Sequence, residues 1–195
     1  MRNSKNMALC GVFTALIAIG AFIRIPVPVV PFTLQYLFTM LAGLLLGAKL
    51  GAAAVALYVG MGLIGFPIFT QGGGFGYVFN PSFGYLVGFI VGAYATGKKA
   101  HTEESPRFGR LLAANLIGLF IVYAFGMVHC YLIHNLYMSD PMGVWTLFLY
   151  CFVLAVPGDI VLCFVAAAVA KRVMPRMEVW FSAQRTPQKV RSPQR

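Results

Sequence analysis

Apolar residues in this chain gather into six runs, residues 7–23, 34–48, 50–66, 83–96, 111–131 and 145–170, separated by short segments rich in proline, glycine or basic residues. At about 1.5 Å per helical residue, a hydrocarbon core of roughly 30 Å takes about 20 residues. Each run therefore predicts a membrane-crossing helix, with the second and fourth short. A short span leaves a gap at one side of the bilayer, which the connecting loops must fill or line as a water-filled hollow. The predicted fold class is all-α: a polytopic membrane protein of six transmembrane helices forming one domain over residues 1–176. Residues 177–195 mix polar and basic residues without apolar periodicity, which predicts a disordered cytoplasmic tail near lipid.

Composition agrees with this pattern. The 195 residues are 59% hydrophobic and only 10% charged, with a mean hydropathy of +0.80, too apolar for an ordinary soluble domain. Apolar runs recur along the whole chain, so the first reads as a retained span and not as a removable signal peptide. A net charge of +10 would suggest nucleic acid in a soluble chain. Here the basic residues flank apolar runs, where anionic headgroups meet them, and nucleic acid drops out as a partner.

Those basic residues also orient the chain. With the N-terminus inside, fourteen of the fifteen lysines and arginines fall on the inner side and Arg24 alone on the outer side. The topology predicted is N-in and C-in. The outer loops are then residues 24–35, 65–82 and the segment around 134–143. The first two carry proline, glycine and aromatic residues with almost no charge, a composition that predicts loops packed down onto the helices.

Several motifs resolve into structural roles. The stretch GAYATGKK, residues 92–99, resembles a phosphate-binding loop but has Lys99 where the magnesium-binding hydroxyl belongs and ends an apolar helix. It reads as a glycine helix stop with anchoring lysines, so ATP hydrolysis is not expected of this chain. Cys10, Cys130, Cys151 and Cys163 lie inside apolar runs without a CxxC pair and read as small packing residues rather than disulfides or a zinc site. His129 and His134 are five residues apart, about 140° around a helix, unlike the i, i+4 spacing that lets two histidines share a metal. No metal and no cofactor are expected. In the first span, Ala8, Gly11, Ala15 and Ala18 form a stripe of small residues that lets a second helix approach closely, either within this bundle or from a separate membrane protein.

The sharpest chemical signal is Asp159, within LAVPGDIVLCFVAAAVA, residues 154–170. Counted from Trp145 along one continuous helix, it lies about 21 Å in, near the bilayer centre. A carboxylate there costs roughly 2.5–3.5 kcal/mol on insertion scales, so it should face a cavity or a partner. The bland alternative is an aspartate that ties helices together, with Asn115 as the candidate partner. It is the only acid within a span, which excludes a two-carboxylate proteolytic site. Pro157 and Gly158 before it remove a donor and side-chain bulk, so a ligand can come close. The loop QGGGFGYVFNPSFGYLVGF, residues 71–89, adds open backbone amides at Gly72, Gly73 and Gly74 and flat apolar walls from Phe75, Tyr77, Phe79, Phe83 and Tyr85. Asn80 supplies both a donor and an acceptor.

In order along the chain, VPFTLQ (30–35), LGAKLGAAAVALYVGMGLIGFPIF (46–69), the glycine loop leading into NPSFGYLVGF (80–89) and PGD (157–159) resemble the BioY family, the biotin-binding S components of energy-coupling factor (ECF) transporters. The resemblance covers roughly residues 7–172. It implies a six-helix bundle in the bacterial cell membrane that captures biotin from outside, makes and breaks no covalent bond, and works with a transmembrane coupling protein and ABC-type ATPase subunits. Phe32 and Thr33, in the first outer loop with Gln35, would form a lid; Gln35, Tyr77, Asn80, Tyr85 and Asp159 would bind ligand. The stripe of Ala8, Gly11, Ala15 and Ala18 would dock the coupling protein. Two departures stand out. Family members commonly carry a lysine three residues after the aspartate, where this chain has Leu162, and many read Gly-Pro-Thr-Gly-Gly-Tyr where this chain has NPSFGY. Arg24 and the three glycine amides are the outer-side candidates for holding a ligand carboxylate. The rival readings are a stand-alone proton-coupled transporter, a carrier of another biotin-like vitamin or precursor, and an assembly protein without a small ligand.

Overall fold

The computed structural model describes residues 2–25, 31–102, 107–138 and 141–183. It is a bundle of helices in the order α1 (Arg2–Phe22), α2 (Gln35–Ile64), α3 (Phe83–Ala100), α4 (Phe108–Leu136), α5 (Val144–Phe148) and α6 (Val156–Ala183). A two-residue antiparallel pair, β1 (Arg24–Ile25) with β2 (Phe32–Thr33), closes the first loop. Among the described residues, four helical stretches are long and apolar enough to cross a membrane: Ser4–Phe22, Gln35–Ile64, Phe108–Leu136 and Val144–Arg176. The surface agrees. Large apolar side chains such as Leu57, Ile117, Phe120, Val128, Val161 and Phe164 face outward from the helices. Water would not tolerate so wide a belt, whereas lipid requires one. The chain is a multi-pass membrane protein.

The helices depart from the six predicted runs at three places, each for a local reason. The second and third runs join as α2, but Gly47 inside it has φ 81° and ψ 177°, a left-handed-side conformation that glycine adopts without a Cβ clash. The chain folds back there. A Cβ on Gly51 would lie 2.7 Å from the Ala42 carbonyl oxygen, although nine residues of straight helix would hold them about 13 Å apart. Gly97, expected to stop the fourth run, instead lies within α3, which continues to Ala100. Its missing side chain admits the turn of α2: a Cβ would sit 2.5 Å from the Ala48 nitrogen. His101 then caps the contact, its Nε2 2.7 Å from the Leu44 carbonyl.

The sixth run is the third departure, and it shapes the site. Instead of one helix from Trp145, α5 gives way to a π-helical turn (Leu149–Val153) and two turn residues before α6 begins at Val156. Pro157 is the reason, since it lacks an N–H and fits only the first turn of a helix. α6 runs on to Ala183, and the remaining tail residues lie outside those described.

One main core holds the bundle, running from Phe13 and Ile17 on α1 through Tyr58, Phe89 and Tyr123 to Cys163 and Ala167 on α6. Polar side chains tie helices across it. Thr14 donates to Ala54 O at 3.0 Å, joining α1 to α2. Tyr36 donates to Asn115 O at 3.0 Å, and Asn115 Nδ2 to Cys163 O at 2.9 Å. Such bonds satisfy groups that have no water to turn to in a bilayer.

Candidate ligand-binding site

A cavity of about 60 Å³ opens between the β pair, α2, α3, α4 and the broken sixth run. Its polar lining includes Thr33, Gln35, Ser82, Tyr123 and Asp159, and its apolar walls include Phe32, Tyr36, Tyr85, Phe89 and Val122. Asp159 stands in the first turn of α6, not deep in a continuous helix as counting from Trp145 predicts. A carboxylate in that position meets the positive end of the helix dipole and first-turn N–H groups, which ease its burial. Its Oδ2 accepts a hydrogen bond from the Tyr123 hydroxyl at 2.6 Å. The alternative tie to Asn115 is not made, since Asn115 Nδ2 bonds to Cys163 instead. Leu162, one turn on, is buried in the core.

Gln35 complements this acceptor. Its side chain is buried and lines the cavity; its Nε2 is a buried donor without a hydrogen-bond partner, an arrangement that normally costs about 1–3 kcal/mol and calls for an explanation. Thr33, buried in β2, accepts from the Gln35 backbone nitrogen at 3.3 Å and so fixes where α2 begins. Phe32 lies across the mouth of the broken run: a Cβ on Gly158 would come 2.7 Å from its ring. Gly158 is therefore where the loop seats. The loop residues between Ile25 and Pro31 lie outside those described.

Tyr77 and Tyr85 both reach the cavity. The Tyr77 hydroxyl bonds to Thr70 at 2.9 Å and Ser82 at 3.1 Å. Tyr85 packs edge-on against Tyr123, with ring centroids 5.7 Å apart, and its ring fits only because Gly126 has no side chain. Asn80 does not reach the cavity wall. Its Oδ1 accepts from Ser82 Oγ at 2.7 Å, and its Nδ2 donates to Gln71 at 2.6 Å, so it positions Ser82, which does line the cavity. Arg24 is exposed and donates to the Thr70 carbonyl, placing a cation next to another lining residue. On α1, Ala8, Gly11 and Ala15 face outward, while Ala18 is half-buried against the core.

Sequence reasoning missed Tyr123, Ser82 and Tyr36. Tyr123 was legible in principle, because it lies on the 3.6-period stripe of Ala114, Asn115, Gly118, Leu119, Val122 and Gly126 that α4 buries.

A family model described as the BioY family matches residues 1–179. The chain belongs to the BioY family. It is 41% identical over 172 residues to a Lysinibacillus sphaericus protein named "Probable biotin transporter BioY", covering 88% of each chain. It is 40% identical to the biotin transporter BioY of Thermotoga maritima, covering 90% of this chain and 98% of that one. Its fold is similar, at a TM-score of 0.76 and 26% identity, to a crystal structure of the S-component for biotin from an ECF-type ABC transporter, with 88% of this chain and 92% of that one aligned. Membership in the BioY family makes this chain a transporter component, not an enzyme.

Proposed function

We propose that this chain is the biotin-binding S component of an ECF transporter, and that the cavity around Asp159 is where biotin sits. The observation that carries the proposal is the pairing of polar groups in one aromatic-walled cavity. Asp159 offers a carboxylate acceptor, and Gln35, whose side chain also interacts with Tyr58, offers a buried amide whose Nε2 makes no close hydrogen bond. A ureido ring presents two N–H donors and one carbonyl acceptor, the complement of that pair. The thioether ring and alkyl chain of biotin suit the walls built by Phe32, Tyr36, Tyr85 and Phe89. Tyr77 closes the side of the pocket and Asn80 acts through Ser82. Arg24, at the Thr70 rim, receives the ligand carboxylate.

A cavity of about 60 Å³ holds a few waters and not a bicyclic vitamin. Binding therefore moves the loop bearing Phe32 and Thr33 off Gly158 and back over the ligand as a lid. The reversal at Gly47, which makes two limbs of α2, supports six passes of the membrane, N-in and C-in: α1, the two limbs of α2, α3, α4 and the α5–α6 run. The outward-facing small residues Ala8, Gly11 and Ala15, with Ala18 at the stripe's end, dock the transmembrane coupling protein. ABC-type ATPase subunits then drive release into the cell across the plasma membrane.

Calorimetry on the purified chain with a panel of biotin, desthiobiotin and unrelated vitamins tests this reading. Saturable one-to-one binding of biotin, with no heat from the unrelated vitamins, is expected. A chain that ignores biotin and binds another vitamin would contradict it.

A further inference from the structure

Sulfur-bearing side chains gather in a cluster that shares only Cys151 with the wall of the cavity. Cys130 on α4 and Cys151 in the π-helical turn are 0% and 1% exposed, and their sulfurs lie 3.9 Å apart. With Leu147 they form a cluster of their own, against which Met127 and Met142 pack. Cys151 is also part of the cavity wall, and its carbonyl is 3.5 Å from the Tyr85 hydroxyl. All four cysteines of the chain are free thiols.

A disulfide needs its sulfurs about 2.05 Å apart, so this pair must close by roughly 2 Å. The segment able to make that movement is at hand: Cys151 sits in a π turn followed by two turn residues, outside any long regular helix. Cavity access supplies the route for a small reagent, since a peroxide is little larger than the water the cavity can hold.

We propose that Cys130 and Cys151 form a reversible disulfide site in the wall of the ligand cavity, oxidised by a peroxide that arrives through the cavity. The Cys151 sulfur attacks one peroxide oxygen, the O–O bond breaks, and a sulfenic acid forms with release of one water. The Cys130 sulfur then displaces the hydroxyl from Cys151, which leaves with the Cys130 proton as a second water. Two thiols and one hydrogen peroxide give one disulfide and two waters, each sulfur losing one electron and each oxygen gaining one. A dithiol reductant reverses the bond by exchange, itself becoming the disulfide. The bond joins α4 to the segment that carries Tyr150 and Cys151, two residues of the cavity wall. A ligand in the cavity shields Cys151; this second statement rests on the function proposed above.

The test treats the reduced, full-length protein in detergent with hydrogen peroxide, with and without biotin, then alkylates it in denaturant and maps the peptides by mass spectrometry. Free thiols should fall from the four present to two, with Cys130 and Cys151 in one cross-linked peptide. Dithiothreitol should restore all four, and Cys130→Ala or Cys151→Ala should each abolish the cross-link. Persistence of four thiols, or bonding through Cys10 or Cys163 instead, would overturn the site. Excess biotin should slow the cross-link severalfold. An unchanged rate in protein that calorimetry shows to bind biotin would overturn the route through the cavity. A cross-link that forms in protein unable to bind biotin would sustain the disulfide site and overturn the functional reading.

Discussion

At the scale of single residues, the site sets one carboxylate beside one amide in a cavity with room for only a few waters. Tyr123 holds Asp159 at 2.6 Å, and its removal leaves the carboxylate free to turn from the ligand. Tyr123→Phe should weaken biotin binding at least about 10-fold, since a hydrogen bond to a charged group contributes roughly 1.5–3 kcal/mol. Gln35→Leu keeps the volume and removes the unpartnered donor, so it should weaken binding by a similar factor while raising thermal stability in the absence of ligand. Equilibrium titration and melting curves on both variants check these outcomes; a Gln35→Leu protein that binds as tightly as wild type would remove that residue from the site. Gln35 came only from the resemblance to the BioY family. Asp159 stood out in the sequence because a polar group in an apolar run needs a reason to be there, and Tyr77 and Tyr85 stood out as aromatic walls of a glycine-rich loop. Tyr123 did not, because a tyrosine in a span usually marks the headgroup level, and only the bond to Asp159, 36 residues away, reveals its task.

At the scale of elements, glycines decide how closely the helices approach. Gly126 leaves room for the Tyr85 ring, so Gly126→Leu should push that ring into the cavity and abolish binding without unfolding the bundle. Gly97 receives the Gly47–Ala48 turn, where backbone faces backbone and neither side can yield. Gly97→Leu should destabilise the protein by about 1–3 kcal/mol, as overpacking of a filled interior does, with a lower melting temperature as the readout. The apolar runs made the helical class and most spans legible. The reversal at Gly47 falls where the second run ends, but two boundaries were not legible, because each is set by contacts and not by composition: the continuation of α3 through Gly97, and the break before Val156. Pro157 was visible as a helix disruptor, yet run length alone favoured one long span. The break changes the account of Asp159, from a charge stranded in mid-helix to one at a helix start, where the dipole favours it.

At the scale of the whole molecule, the fold separates two surfaces. The cavity around Asp159 is walled by Phe32 and Thr33, and the outward small-residue face of α1 takes no part in its lining; Gly11 has no atom within 4 Å of where a Cβ would stand. Gly11→Trp should therefore leave biotin affinity within about twofold while preventing co-purification with the coupling protein and stopping uptake. Equal loss of both activities would instead place α1 in the binding site. The central claim is that Asp159 and its cavity bind biotin, and calorimetry of wild type beside Asp159→Asn tests it most directly. The substitution keeps size and a hydrogen-bonding side chain but removes the charge, so a folded, monodisperse variant should lose at least about 100-fold in affinity. Wild-type affinity in that variant would contradict the claim.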